Sequence, residues 1–137
     1  MRNSLQKRTW AEVSLDNISH NYRAIRAALP EGCRFLGVVK ADAYGHGAVA
    51  VARLLESEGA DYLAVSCLDE AMELRSAGIT MPLLILGHTP SEYTETLIDN
   101  DITQTVSCLA KAQEFSARAV ALGRQLRIHI KIDTGMS

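Results

Sequence analysis

Five short strand cores recur along the chain, at residues 35–39, 62–66, 83–86, 102–106 and 126–132, with starts 27, 21, 19 and 24 residues apart. Each has the length of a strand and is bounded by turn residues, whereas the segments between them carry helical spacing. One helix is expected from about Gly47 to Glu58, stopped by Gly59, and another from about Asp69 to Ala77, stopped by Gly78. A third has Thr89 as N-cap, Pro90 at the first helical position and Glu92 at the third, the pattern of a capping box. A fourth follows Ser107 and ends at Gly123. Upstream, residues 10–15 alternate like a short strand. Asp16 then stands as N-cap of an amphipathic helix whose face is Ile18, Tyr22, Ile25 and Leu29.

Strand and helix alternate without interruption, so the sheet should be parallel with right-handed crossovers. A doubly wound open sheet and a (β/α)₈ barrel both give this pattern. A barrel needs about 250 residues, and five strands cannot close one. The last run is followed only by Asp133-Thr134-Gly135-Met136-Ser137, with no helix to cover it. The expectation is an α/β segment of about five β/α units belonging to a larger domain: an N-terminal tail and short strand over residues 1–15, and the incomplete domain over 16–137.

Composition narrows the class. The 137 residues are 47% hydrophobic and 22% charged with a formal net charge of −2, an ordinary globular balance that offers nucleic acid no basic surface. The basic cluster Arg2, Lys7 and Arg8 reads as a solvated tail. Three scattered cysteines (Cys33, Cys67, Cys108) argue for a reducing compartment and against a disulfide framework or a metal site. Cys67 and Cys108 read as small buried hydrophobes. No signal peptide is apparent and no apolar run approaches the roughly 20 residues of a membrane span, so the cytoplasm is the default.

The candidate chemistry lies in Val38-Val39-Lys40-Ala41-Asp42-Ala43-Tyr44-Gly45-His46-Gly47. A buried strand ends here at a lysine, followed by a glycine-flanked turn. Parallel α/β folds keep their chemistry at such strand ends, and lysine is the usual anchor for a carbonyl cofactor. Position alone does not establish that role, since a lysine must be desolvated or placed near positive charge to act as a nucleophile. Gly45-x-Gly47-x-x-Ala50, with Asp69 24 residues past Gly45, also fits a dinucleotide fingerprint. Five residues separate its first glycine from the strand, which counts against that reading. Tyr44 is either a phosphate or acid–base group or a packed aromatic; His46 reads as partly exposed and Asp42 as a turn stabiliser. On the last strand, His129, Lys131 and Asp133 share one face opposite Ile128, Ile130 and Ile132. That polar row is either a solvated edge or the interior of a barrel near its active end.

The ten-residue segment 38–47 resembles the cofactor-lysine signature of alanine racemases. Three further segments match that family in order: Thr9-Trp10-Ala11-Glu12-Val13, Leu68-Asp69-Glu70-Ala71 with Glu73-Leu74-Arg75, and Lys131-x-Asp133-Thr134-Gly135-Met136. The resemblance implies the N-terminal part of a TIM-type barrel that binds pyridoxal 5'-phosphate and interconverts L- and D-alanine for peptidoglycan synthesis. By that resemblance Lys40 would carry the cofactor as a Schiff base and serve as one acid–base group, Tyr44 would contact its phosphate, and Leu86 would line its pocket. Lys131 would be a supporting lysine, often carbamylated. The second base would come from a C-terminal β-domain across a homodimer, so the chain alone is expected to be inactive. A serine or broad-specificity racemase and a non-catalytic barrel carrying the same cofactor are the alternatives. No metal is implied.

Overall fold

In the computed structural model, which describes residues 9–135, the element order is α1 (Leu15–Ala28), β1 (Leu36–Val38), α2 (Lys40–Gly45), α3 (Ala48–Ser57), β2 (Tyr62–Val65), α4 (Leu68–Ser76), β3 (Leu83–Ile85), a 3₁₀ turn (Ser91–Tyr93), α5 (Thr94–Asp99), β4 (Ile102–Val106), α6 (Leu109–Ala121) and β5 (Ile128–Ile130). All five expected strands are present, and every neighbouring pair is parallel. Their order in the sheet is β1-β2-β3-β4-β5. A doubly wound sheet reverses its order at a switch point. This one adds each strand on the same side, the winding of a barrel.

Register sorts the side chains onto two faces, because strand residues alternate. Gly37, Leu63, Leu83 and Ile102 form one row, and Val65, Ile85, Gln104 and Ile128 the next. These rows meet the helices, and Leu63, Val65, Leu83 and Ile85 are fully buried in a core shared with Val51, Ala52, Leu55, Ala71, Leu74 and Leu97. The opposite, concave face carries Val38, Ala64, Leu84 and Thr103 in register, with Thr105 beside His129. Tyr62 adds a polar layer there: its hydroxyl pairs with that of Thr103 and its ring lies 5.9 Å from that of His129.

Several local expectations give way to tertiary context. Residues 10–15 form no strand: a strand needs a neighbour for its backbone groups, and the sheet of the described residues begins at β1. Ser14, not Asp16, caps α1 by accepting the Asn17 N–H at 3.3 Å; Asp16 sits in the first turn, where its charge suits the helix dipole. The buried face of α1 keeps Tyr22, with Ile18 and Leu29 partly buried, but departs from the expected one at two positions. Ser19 and Tyr22 are buried while Ile25 is exposed, because Tyr22 packs edge-on against Phe35 at 4.9 Å and Ser19 donates to Glu58. The capping box at Thr89 does not form. Pro90 opens the 3₁₀ turn instead, and the Thr89 hydroxyl is buried without a partner. Cys67 and Cys108 are not buried hydrophobes but the N-cap positions of α4 and α6, the first partly buried and the second exposed. Among the described residues no helix is long and apolar enough to cross a membrane. Arg2, Lys7, Arg8 and Met136 lie outside the described residues.

Candidate active site

The Val39 N–H completes the ladder of β1 by donating to the Ala64 carbonyl at 2.8 Å. Beyond it the chain coils the wrong way: Ala41, Asp42, Ala43 and Tyr44 have φ of 50–55° and ψ of 37–51°, a left-handed turn of four non-glycine residues. Each such residue costs about 1–2 kcal/mol, so the turn carries roughly 4–8 kcal/mol of strain. Strain on that scale persists only where surrounding contacts hold it, and it is characteristic of working sites. Here the Ala43 side chain is buried and its N–H donates to Val39 at 3.0 Å. The Asp42 carboxylate accepts the Ala48 N–H at 2.7 Å, capping α3, whose own N-cap residue Gly47 has no side chain to offer. Asp42 thus stabilises the turn. His46 is exposed, with Nδ1 donating to the Ala43 carbonyl at 2.9 Å.

The turn sets the half-buried Lys40 at the mouth of a cavity of about 540 Å³, open on the concave face and lined by Ser66, Leu84, Leu86, Gly87, Thr105, His129, Ile130 and Lys131. Three of the four residues singled out from the sequence, Lys40, Leu86 and Lys131, therefore share one groove. The fourth, Tyr44, lies beside it: its ring centroid is 6.0 Å from the Lys40 amine and the residue is 64% exposed, so it is not a packed aromatic. His129 and Lys131 line the same groove, which puts the polar row of β5 on the barrel's interior side. The Asp133 carboxylate instead accepts the Gly135 N–H at 2.9 Å.

A hydrogen-bonded belt across the strand ends frames the groove. Glu70, on α4, accepts the Ala41 N–H on one carboxylate oxygen at 2.9 Å and the Ser66 N–H on the other at 2.7 Å. The Ser66 carbonyl accepts from Gly87 N–H at 3.1 Å, and the Gly87 carbonyl accepts from the Gln104 amide at 2.8 Å. A Cβ on Gly87 would lie 2.4 Å from the Ser66 carbonyl oxygen, so only glycine allows this approach. Burial raises the proton affinity of Glu70, but Ser66, the Ala41 N–H and the Lys40 charge outweigh it and hold the carboxyl below its ordinary value. Sequence reasoning placed Glu70 in a matching segment without giving it a role. Its only signal was an acidic residue in the first turn of a helix, which is usually a dipole effect.

The dinucleotide reading fails on this geometry. The left-handed turn stands where the fingerprint needs its first glycine, and the strand order has no switch point. Among the described residues no cluster of His, Cys, Asp or Glu is placed to hold a metal ion. What the groove does offer is a primary amine on one wall, an apolar flank from Leu84 and Leu86, and hydroxyl, imidazole and amine groups opposite. A primary amine beside an apolar flank, with polar groups opposite, suits a carbonyl compound that carries polar substituents.

Fold and site together define a parallel α/β-barrel segment that presents a lysine at the carboxyl end of its first strand. Sequence comparison is more specific: the family profile described as "Alanine racemase, N-terminal domain" matches residues 13–137. The chain belongs to the alanine racemase family. An alanine racemase of Desulfosudis oleivorans is 46% identical over 93% of the chain and 33% of that protein's length. The solved alanine racemase of Clostridium difficile 630 superposes with a TM-score of 0.90 at 50% identity, covering 98% of this chain and 35% of that one. A histidine racemase from Leuconostoc mesenteroides shares the fold at 27% identity and a TM-score of 0.81, over 90% of this chain and 33% of its own. The chain thus spans about a third of the length of the relatives it matches.

Proposed function

We propose that this chain is the cofactor-binding third of a pyridoxal-phosphate-dependent alanine racemase that interconverts L- and D-alanine. The observation that carries the reading is the placement of Lys40 at the end of β1, in one groove with Leu86 and Lys131. When bound, the cofactor supplies an electron sink that makes the Cα proton of an amino acid removable. Lys40 would hold the cofactor through its amine, and that amine would serve as the acid–base group on one side of the substrate's Cα. The Tyr44 phenol, exposed next to Lys40, would donate to the phosphate. Leu86 and Leu84 would line the cofactor's pocket and keep water from that side. Lys131, on the opposite wall, would be a supporting lysine of the site, carrying a negative charge if carbamylated. The acid–base group for the other side of Cα comes from the remaining two thirds of a full-length racemase, in a homodimer.

The test is reduction of the full-length protein with borohydride in the presence of pyridoxal phosphate, followed by peptide mapping. The adduct is expected on Lys40 and absent from Lys40→Ala, with chiral chromatography showing L- to D-alanine conversion lost in the same variant. An adduct on another residue refutes the anchor. The relatives' names favour alanine, and the histidine racemase shows that the fold admits other substrates. Serine and histidine therefore belong in the same assay, and faster turnover of either refutes alanine as the substrate.

A further inference from the structure

The left-handed turn is the least stable conformation described here, yet it carries the residue on which the chemistry depends. Of the bonds that hold it, those from Ala43, Gly47 and Ala48 close within the segment itself. The bond from Ala41 to Glu70 leaves the segment, and the same carboxylate holds Ser66 at the end of β2. Glu70 therefore ties the residue next to Lys40 to the neighbouring strand and, through Ser66 and Gly87, to the rest of the groove rim. We propose that Glu70 is a positioning residue for Lys40, its carboxylate bridging the Ala41 and Ser66 amides so that the left-handed turn stays closed and the lysine amine enters the groove at a fixed place. The inference rests on the proposed anchoring role of Lys40 and adds to it a residue that touches neither cofactor nor substrate.

The chemistry of the bridge makes it testable. A carboxylate offers one acceptor oxygen to each N–H. A glutamine of the same shape offers a single oxygen and turns its own N–H groups toward a donor, so one of the two bonds must break. Glu70→Gln in the full-length apoprotein is compared with Arg75→Met, a change on the same helix that alters only contacts at the far end of the sheet. Two quantities are read besides the melting temperature. One is amide hydrogen exchange in peptides covering Ala41 and Ser66. The other is the rate at which Lys40 captures pyridoxal phosphate: the amine adds to the aldehyde, one water leaves, and borohydride reduces the C=N bond for mass mapping.

Glu70→Gln is expected to speed exchange at Ala41 at least tenfold and slow capture at least tenfold, while Arg75→Met lowers the melting temperature without slowing capture. Parental capture in Glu70→Gln overturns the proposal, as does an equal slowing in Arg75→Met, which would make the effect one of stability alone. Should Glu70→Gln not fold, Glu70→Asp keeps the charge but is a methylene short of spanning both donors. Slowed capture in that variant supports the proposal and the parental rate overturns it. An adduct on a residue other than Lys40 in the parent protein defeats the anchoring role instead, and the exchange at Ala41 then decides the bridge by itself.

Discussion

Arg75 offers a quantitative test of how the far end of the sheet is held. Its guanidinium donates to four backbone carbonyls: Asn100 at 2.8 Å, Ile79 at 2.8 Å, Met81 at 3.0 Å and Asp101 at 3.1 Å. These acceptors lie just before β3 and β4, so one side chain of α4 gathers two strand entries. Burial lowers its proton affinity against the opposing charges of Asp101 and Glu56, but an arginine stays ionised throughout the accessible pH range. Bonds to a charged group contribute about 1.5–3 kcal/mol each, and four would sum to roughly 6–12 kcal/mol if they were additive. They are not, because one ion shares them and its partial burial costs several kcal/mol in return. Arg75→Met, which keeps the length and removes the donors, should therefore cost about 2–4 kcal/mol. With a urea dependence of about 2 kcal/mol/M, that is a midpoint lowered by roughly 1–2 M at unchanged slope. Arg75→Lys, with no planar fork, should recover less than half of the loss. A midpoint shift below about 0.5 M for Arg75→Met would mean that these carbonyls are served equally well by water, and the reasoning fails.

Three other outcomes are expected. Asp42→Ala removes the cap of α3 and should cost about 1 kcal/mol by urea unfolding, with Asp42→Asn closer to the parent because it keeps an acceptor; equal losses would refute the cap. Gly87→Ala forces a methyl against the Ser66 carbonyl and should destabilise by about 1–3 kcal/mol, and an unchanged midpoint would show that the rim yields freely. The carboxyls of Glu56 and Glu70 are both held below the ordinary 4.5: burial opposes this, and bonds from Thr80 and Met81 to the first and from Ser66 and Ala41 to the second overcome it. A folded value below the unfolded one contributes stability that is complete above the unfolded value and lost as pH falls through the folded one. Thermal midpoints should therefore hold near neutrality and fall as the pH drops below about 4.5, with a shallower fall in Glu56→Gln; an identical slope in that variant counts against its bonds to Thr80 and Met81.

The parts of the fold legible in the sequence are those written in apolar spacing. Residues 62–65 and 83–85 are continuous apolar runs that are almost wholly buried, and glycines mark where α3, α4 and α6 stop. Features that depend on a neighbour were not legible. Residues 10–15 alternate like a strand but have none beside them among the described residues, and Thr89 has the letters of a cap while its hydroxyl is buried without a partner. At the site, Lys40 stands out in the sequence because a cation ends an apolar run. The handedness of the turn after it does not, since Ala-Asp-Ala-Tyr carries no left-handed signal. Glu70 and Arg75 are five residues apart on one ordinary helix, and only the sheet beneath shows that they reach opposite ends of it.

The reversed coil after Lys40 also acts as a filter on which residues that stretch can accept. Branching at Cβ crowds the neighbouring carbonyl most when φ is positive, so valine, isoleucine and threonine are penalised at positions 41 to 44 whether or not any small molecule is near. The two alanines there fit that filter without selecting for it, which leaves the lysine and the tyrosine at either end as the letters that need a chemical reason.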